Sequence, residues 1–218
     1  MNSESFKRTT CDRCLRPART CFCAFIHQVH NRVELVILQH PDEATNAKNT
    51  AALLHLSVKN SQLYNAEQFD SAELHAAIYA GQRQPLLLYP ALADYHSLGI
   101  QPPPATPNLT SIAAEQLRLI VIDATWRKSR KMLYLNPILQ QLPLLSLNDT
   151  PTSIYTIRKA HSENQLSTLE ASCYALQQLE QHRVDYQPVL QAMADFVTQL
   201  AAFIPKPDEQ TRRLSPDL

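Results

Sequence analysis

Leu117–Leu135 reads LRLIVIDATWRKSRKMLYL. Its first six residues are apolar apart from Arg118 and carry a β-branched run, the pattern of a strand buried on both faces. The run stops at Asp123. Thr125 then stands where a cap is expected, ahead of a helix whose first turns carry Arg127, Lys128, Arg130 and Lys131. A carboxylate at the carboxyl end of a buried strand, followed by a helix N-terminus, is where open α/β sheets place their ligands. Four cations within five residues cannot share one helix face, so they predict a broad positive surface beside the carboxylate, suited to a polyanion.

Outward from this stretch, the same unit recurs. Val33–Gln39 (VELVILQ) predicts a first core strand. It ends in His40-Pro41-Asp42-Glu43, and a helical pattern follows from about Ala44 to Leu56, with Lys48, Asn49 and Thr50 on its early turns. From sequence alone His40 is more commonly a loop histidine bonded to backbone. Residues 63–80 predict a short strand and a helix ending at Gly81. Pro85–Pro90 (PLLLYP) predicts a short strand closed by proline, and Leu142–Leu147 another. Gly99–Asn108 (GIQPPPATPN) predicts a loop, and Pro137 ends or kinks the central helix.

Ser167 and Glu170 fit a capping box. Leu169, Cys173, Leu176 and Leu179 form the apolar stripe of the helix behind it, so Cys173 reads as core. A last helix is expected from about Pro188 to Phe203. The fold class is therefore α/β, with a mainly parallel sheet flanked by helices.

The N-terminal segment carries Cys11-x2-Cys14-x6-Cys21-x-Cys23. Four thiolates within thirteen residues can close a tetrahedral site around one zinc ion, and so short a segment would take its folding energy from the metal. An iron–sulfur cluster or free thiols are the competing readings. Residues 1–30 are thus expected to form a zinc-binding module, 31–204 the main domain, and 205–218 a flexible tail.

Composition narrows the function. The chain has 218 residues, is 44% hydrophobic and 18% charged, and carries no net charge. That suits one sizeable domain with an appendage, and argues against a general nucleic-acid coat. Charge is nevertheless unevenly placed: six Lys/Arg against two acids in residues 1–33, and four against eight in residues 163–218. No apolar run approaches a membrane span, and the first residues show no secretory signal. A cytoplasmic location is expected, where cysteines serve as ligands or thiols rather than disulfides. With two glycines, Gly81 and Gly99, a glycine-rich dinucleotide fingerprint and a P-loop are both excluded. Ser167 and His161 lack the nucleophile-elbow context of a hydrolase.

Five motifs, in order, resemble those of the DTW-domain proteins. They are the cysteine cluster with Arg16-Pro17; His40-Pro41-Asp42-Glu43 followed by Lys48-Asn49-Thr50; Leu88-Tyr89-Pro90; Asp123-Ala124-Thr125-Trp126; and Arg158-Lys159 with Ser167-Thr168-Leu169-Glu170-Ala171. The resemblance implies a SPOUT-like sheet, knotted near its C-terminal part. It also implies transfer of the 3-amino-3-carboxypropyl group of S-adenosylmethionine to N3 of a tRNA uridine, releasing methylthioadenosine.

On this resemblance Asp123, Thr125 and Trp126 are the catalytic candidates. His40, Leu88, Tyr89, Pro90, Ile122, Ser167, Thr168 and Glu170 are expected around the cofactor. Arg127, Lys128, Arg130, Lys131, Arg158 and Lys159 are the candidate RNA contacts, and Cys11, Cys14, Cys21 and Cys23 the zinc ligands. Asp123 is read either as a general base or as the charge that holds the donor's ammonium and sulfonium. Trp126 either stacks on a base or lids the strand end. Each basic residue alone is also an ordinary surface charge, and Leu88 also an ordinary core residue. The competing functions are a SPOUT-type RNA methyltransferase and a non-catalytic, zinc-bearing RNA-binding protein.

Overall fold

The computed structural model describes residues 9–91, 95, 99–100, 102–147, 153 and 166–203. Arg158, Lys159 and the expected tail at 205–218 lie outside these residues. Among the described residues, five parallel strands form one sheet: β1 (Glu34–Gln39), β2 (Ser61–Asn65), β3 (Gln84–Leu88), β4 (Leu117–Asp123) and β5 (Leu144–Leu145). Their spatial order is β2-β1-β4-β3-β5.

Alternate residues of the central strands feed two cores, as the pleat requires. Leu35, Ile37, Leu86, Leu117, Leu119 and Val121 belong to one core. It is completed by α2 (Ala51–Ser57), α5 (Thr168–Leu179) and α6 (Gln187–Ala201). Val36, Leu38, Leu87 and Ile120 belong to the other, closed by α3 (Ser71–Tyr79) and α4 (Trp126–Leu135). Leu169, Cys173, Leu176 and Leu179 of the expected stripe are all buried, as are Leu190, Met193, Phe196, Val197 and Leu200 of the last helix.

The cysteine segment joins the first core. Cys14 and Phe22 are buried in it, and the Phe22 ring meets Phe196 of α6 edge-on, with centroids 5.3 Å apart.

Arg118, the one charge in the central run, is fully buried at the amino end of the sheet. Its guanidinium binds Glu34 Oε2 at 2.5 and 3.0 Å and donates to the Ile78 carbonyl at 2.6 Å. Arg83 reaches the same carboxylate oxygen at 2.8 Å. A buried ion is tolerable there because it is paired and hydrogen-bonded. The whole network lies at the opposite end of the sheet from Asp123.

The helix expected over 44–56 is broken. A single turn, α1 (Pro41–Ala44), and then α2 are separated by residues 45–50. Side chains cause the break: Asn46 Oδ1 accepts from Lys48 N at 3.0 Å, and Asn49 Oδ1 from Ala51 N at 2.8 Å. Such local bonds offer the backbone an alternative to the helix.

Candidate functional site

From β1 the chain leaves for β2 on one side, whereas from β4 it leaves for β5 on the other. The crevice between β1 and β4 is therefore a topological switch point, where open α/β sheets bind ligands at the carboxyl ends of their strands. Gln39 and Asp123 close the two strands in register. Asp123 is 5% exposed. Its Oδ2 accepts from Gln39 Nε2 at 2.9 Å and from Asn49 Nδ2 at 2.6 Å. Two amide donors on one oxygen fix the carboxylate's plane, and no described residue donates to Oδ1. Asp123 lines a small cleft with Glu43, Asn46, Lys48, Asn49, Thr50, Ser167 and Thr168.

Thr125 caps α4, its hydroxyl accepting from Lys128 N at 3.4 Å. Trp126 is 48% exposed and stands edge-on to Tyr89, centroids 5.8 Å apart. Ser129 donates to the Trp126 carbonyl at 3.0 Å, so the Tyr89 hydroxyl donates to Ser129 Oγ at 3.1 Å. Burial raises the pKa of the Tyr89 hydroxyl, keeping it a neutral donor. Leu88 is half-buried, Pro90 is exposed, and Ile122 packs partly buried against the second core.

A second, larger cleft lies along α4, lined by His40, Pro41, Asp42, Glu67, Arg127, Lys128 and Lys131. His40 Nδ1 accepts the Asp42 backbone N–H at 3.1 Å, so its Nε2 carries the proton and donates to Glu67 Oε1 at 3.0 Å. Both ring nitrogens are thus engaged by protein.

The four cations of α4 divide. Lys128 pairs with Asp42 at 3.0 Å and Lys131 with Glu67 at 2.8 Å. Arg127 and Arg130 are exposed and have no ion-pair partner among the described residues. The Lys128 contact lowers the Asp42 pKa, and those of Lys131 and then His40 lower that of Glu67.

The capping box is formed. Ser167 Oγ accepts from Glu170 N at 3.2 Å, and Glu170 Oε2 from Ser167 N at 2.8 Å. Glu170 is fully buried and also accepts from the Ser153 hydroxyl at 2.8 and 3.0 Å. Its carboxylate is therefore turned into the protein, while Ser167 and Thr168 line the Asp123 cleft.

The structure thus gathers Asp123, Ser167 and Thr168 in one cleft, and His40, Arg127, Lys128 and Lys131 in the other. Trp126 and Tyr89 form a third cluster. The sequence pattern singles out neither Gln39, Glu67 and Ser129 nor the Asn49 side chain for a role. The signal for Gln39 is a polar residue that ends the apolar run 35–38.

The four cysteine sulfurs lie within 4.8 Å of one another. Cys11 and Cys23 are 3.7 Å apart, Cys14 and Cys21 3.6 Å. A tetrahedral zinc with bonds of about 2.3 Å has sulfur–sulfur edges of about 3.8 Å, so one such ion fits. A cubane cluster would hold its thiolates further apart. Backbone N–H groups of Cys14 and Arg13 lower the Cys11 pKa to about 6, whereas burial raises that of Cys23. No helix among the described residues is long and apolar enough to cross a membrane.

The DTW domain profile matches residues 8–201. The chain is 28% identical over 212 residues to tRNA-uridine aminocarboxypropyltransferase 2 of Macaca fascicularis, covering 91% of this chain and 66% of that one. It is 30% identical over 186 residues to the protein of the same name from Drosophila melanogaster, with 80% and 68% covered. To tRNA-uridine aminocarboxypropyltransferase A of Arabidopsis thaliana it is 28% identical over 147 residues, with 58% and 50% covered. The chain thus spans about two thirds or less of the length of these relatives. No solved structure matches significantly. With a profile match running from ahead of the cysteine cluster to the end of α6, this chain belongs to the DTW domain family.

Proposed function

We propose that this protein transfers the 3-amino-3-carboxypropyl group of S-adenosylmethionine to N3 of a uridine in tRNA. The observation that carries the reading is Asp123, the first residue of the Asp-x-Thr-Trp segment, pinned at the β1–β4 switch crevice in a chain whose relatives bear that enzyme's name.

In the transfer, N3 gains a bond to the γ-carbon of the moving group, the carbon–sulfur bond breaks, methylthioadenosine leaves, and the N3 proton is lost. The donor is already activated as a sulfonium, so the protein's task is mainly alignment. Asp123 offers one oriented, open carboxylate oxygen. It either holds the donor's ammonium and sulfonium or takes the N3 proton. Ser167 and Thr168 close the same cleft, and Tyr89, Pro90, Leu88, Ile122 and His40 border the donor's path. Trp126 presents a face to a base, and Arg127 and Arg130 with Arg158 and Lys159 meet phosphates.

Cys11, Cys14, Cys21 and Cys23 hold a structural zinc, supported by the tetrahedral sulfur spacing. Residues 1–30 serve as this module, 31–204 as the catalytic domain. We take the sheet to be SPOUT-like and knotted near its C-terminal part. Its support is that the chain returns from the edge strand to a helix packed across β4.

Incubation with tRNA and S-adenosylmethionine tests the reading. Methylthioadenosine and carboxyl-labelled tRNA are expected. S-adenosylhomocysteine with methyl-labelled tRNA would make this a methyltransferase.

A further inference from the structure

The cysteine segment and the Asp123 cleft are joined by one side chain. Arg16 lies between the two cysteine pairs. Its Nη1 donates to the Ala47 carbonyl at 2.5 Å and its Nη2 to the Asn49 carbonyl at 2.5 Å. The guanidinium also lies 5.2 Å from the Phe22 ring centroid and 4.9 Å from that of Phe196. Both rings are fully buried, so the fork is held at its base by two aromatic faces.

Its two acceptors belong to the loop 45–50, which breaks the helix after β1. This loop supplies Asn46, Lys48, Asn49 and Thr50 to the cleft. Asn49 is gripped from both ends. Arg16 takes its carbonyl, while its Oδ1 accepts from Gln39 Nε2 at 3.1 Å and from Ala51 N at 2.8 Å. With Oδ1 so occupied, Nδ2 is the atom turned to Asp123 Oδ2.

We infer that Arg16 is a positioning residue for the transfer site, clamping loop 45–50 so that Asn49 holds the Asp123 carboxylate in its working orientation. The inference rests on the reading of Asp123 as part of that site. The clamp needs a planar fork that reaches two carbonyls at once, which a lysine's single ammonium cannot reproduce. The cysteine segment is then more than a folding staple, because its geometry sets the loop through Arg16.

A double-mutant cycle between Arg16→Lys and Asn49→Ala tests it, with metal content checked in each variant. Arg16→Lys should lower kcat/KM for tRNA modification at least about tenfold, through the same parameter, kcat or KM, that Asn49→Ala affects. In the Asn49→Ala background the same change should cost less than about twofold, since the link is already cut. Hydrogen exchange at the amides of Lys48, Asn49 and Ala51 should quicken in Arg16→Lys while that of β4 stays unchanged. Multiplicative losses, or unaltered loop exchange, would overturn the inference. Should the variant not fold, the wild-type protein decides. Clamped Nη protons give separate, slowly exchanging NMR signals, and averaged ones would refute the clamp. If the wild type makes no transfer product, the proposed function fails, while loop exchange and the NMR signals still decide whether the clamp exists.

Discussion

Gln39 and Asp123 end adjacent parallel strands in register, and the amide of the first donates to the carboxylate of the second at 2.9 Å. This pairing joins the end of β1 to the candidate site at the end of β4. It also dictates how Asp123 should be probed. Asp123→Ala removes an acceptor from two buried amides, leaving Asn49 Nδ2 without its Asp123 partner and Gln39 Nε2 with Asn49 Oδ1 alone, at about 1–3 kcal/mol for a group left unsatisfied. Asp123→Asn keeps an oxygen for both donors and removes only the charge. We expect Asp123→Asn to retain its unfolding midpoint within a few degrees and to lose at least about a hundredfold in turnover. Asp123→Ala should lose both turnover and stability. Chemical denaturation and single-turnover assays measure the two effects, and a fully active Asp123→Asn would remove the charge from the mechanism.

The metal prediction follows from packing. Because Cys14 and Phe22 lie in the same core as α6, losing the metal should loosen more than the cysteine segment. Purified protein should contain about one zinc per chain. Cys11→Ser with Cys21→Ser should abolish it and lower the unfolding temperature of the whole domain cooperatively. Cobalt substitution should show thiolate charge-transfer bands. Full zinc retention in the double variant would place the metal elsewhere.

For tRNA, the ion pairs of α4 set which cations count. Lys128 and Lys131 already face Asp42 and Glu67, whereas Arg127 and Arg130 have no such partner among the described residues. Arg127→Ala with Arg130→Ala should flatten the log–log salt dependence of binding by about 1.5–2. Lys128→Ala with Lys131→Ala should flatten it less. Equal effects from the two pairs would mean that the acids do not neutralise the lysines when RNA is bound.

What could be read from the chain follows the range of each interaction. The β4 strand, the Thr125 cap and the Ser167–Glu170 box are local, fixed by residues three or four apart, and they stand where the pattern put them. The helix expected over 44–56 breaks because Asn46 and Asn49 turn their side chains back on the loop, which periodicity does not register. The roles of Gln39 and Arg16 were invisible for another reason. Strand register and a guanidinium reaching 33 residues along the chain arise only on folding. The charge of α4 was legible, but its partial cancellation by Glu67, 64 positions away from Lys131, was not.

Glu67 yields a prediction about pH. Its carboxylate joins α4 to the loop after β1, accepting from Lys131 Nζ at 2.8 Å and from His40 Nε2 at 3.0 Å. Those contacts hold its pKa below the ordinary value of 4.5. A carboxylate whose pKa is lowered on folding releases its proton more readily in the native state. The stability it adds is therefore complete above the unfolded-state value and is lost as pH falls through the folded one. The side chain is only partly buried, so the effect is small and screened by salt. Glu67→Gln keeps an oxygen for His40 but removes the charge facing Lys131. Wild type should be more stable than Glu67→Gln at pH 6–7, with the gap closing as pH drops below about 4.5 and shrinking in high salt. Denaturation midpoints of both proteins across this range measure it. A gap that persists unchanged at pH 3 would assign the difference to packing of the side chain rather than to its charge.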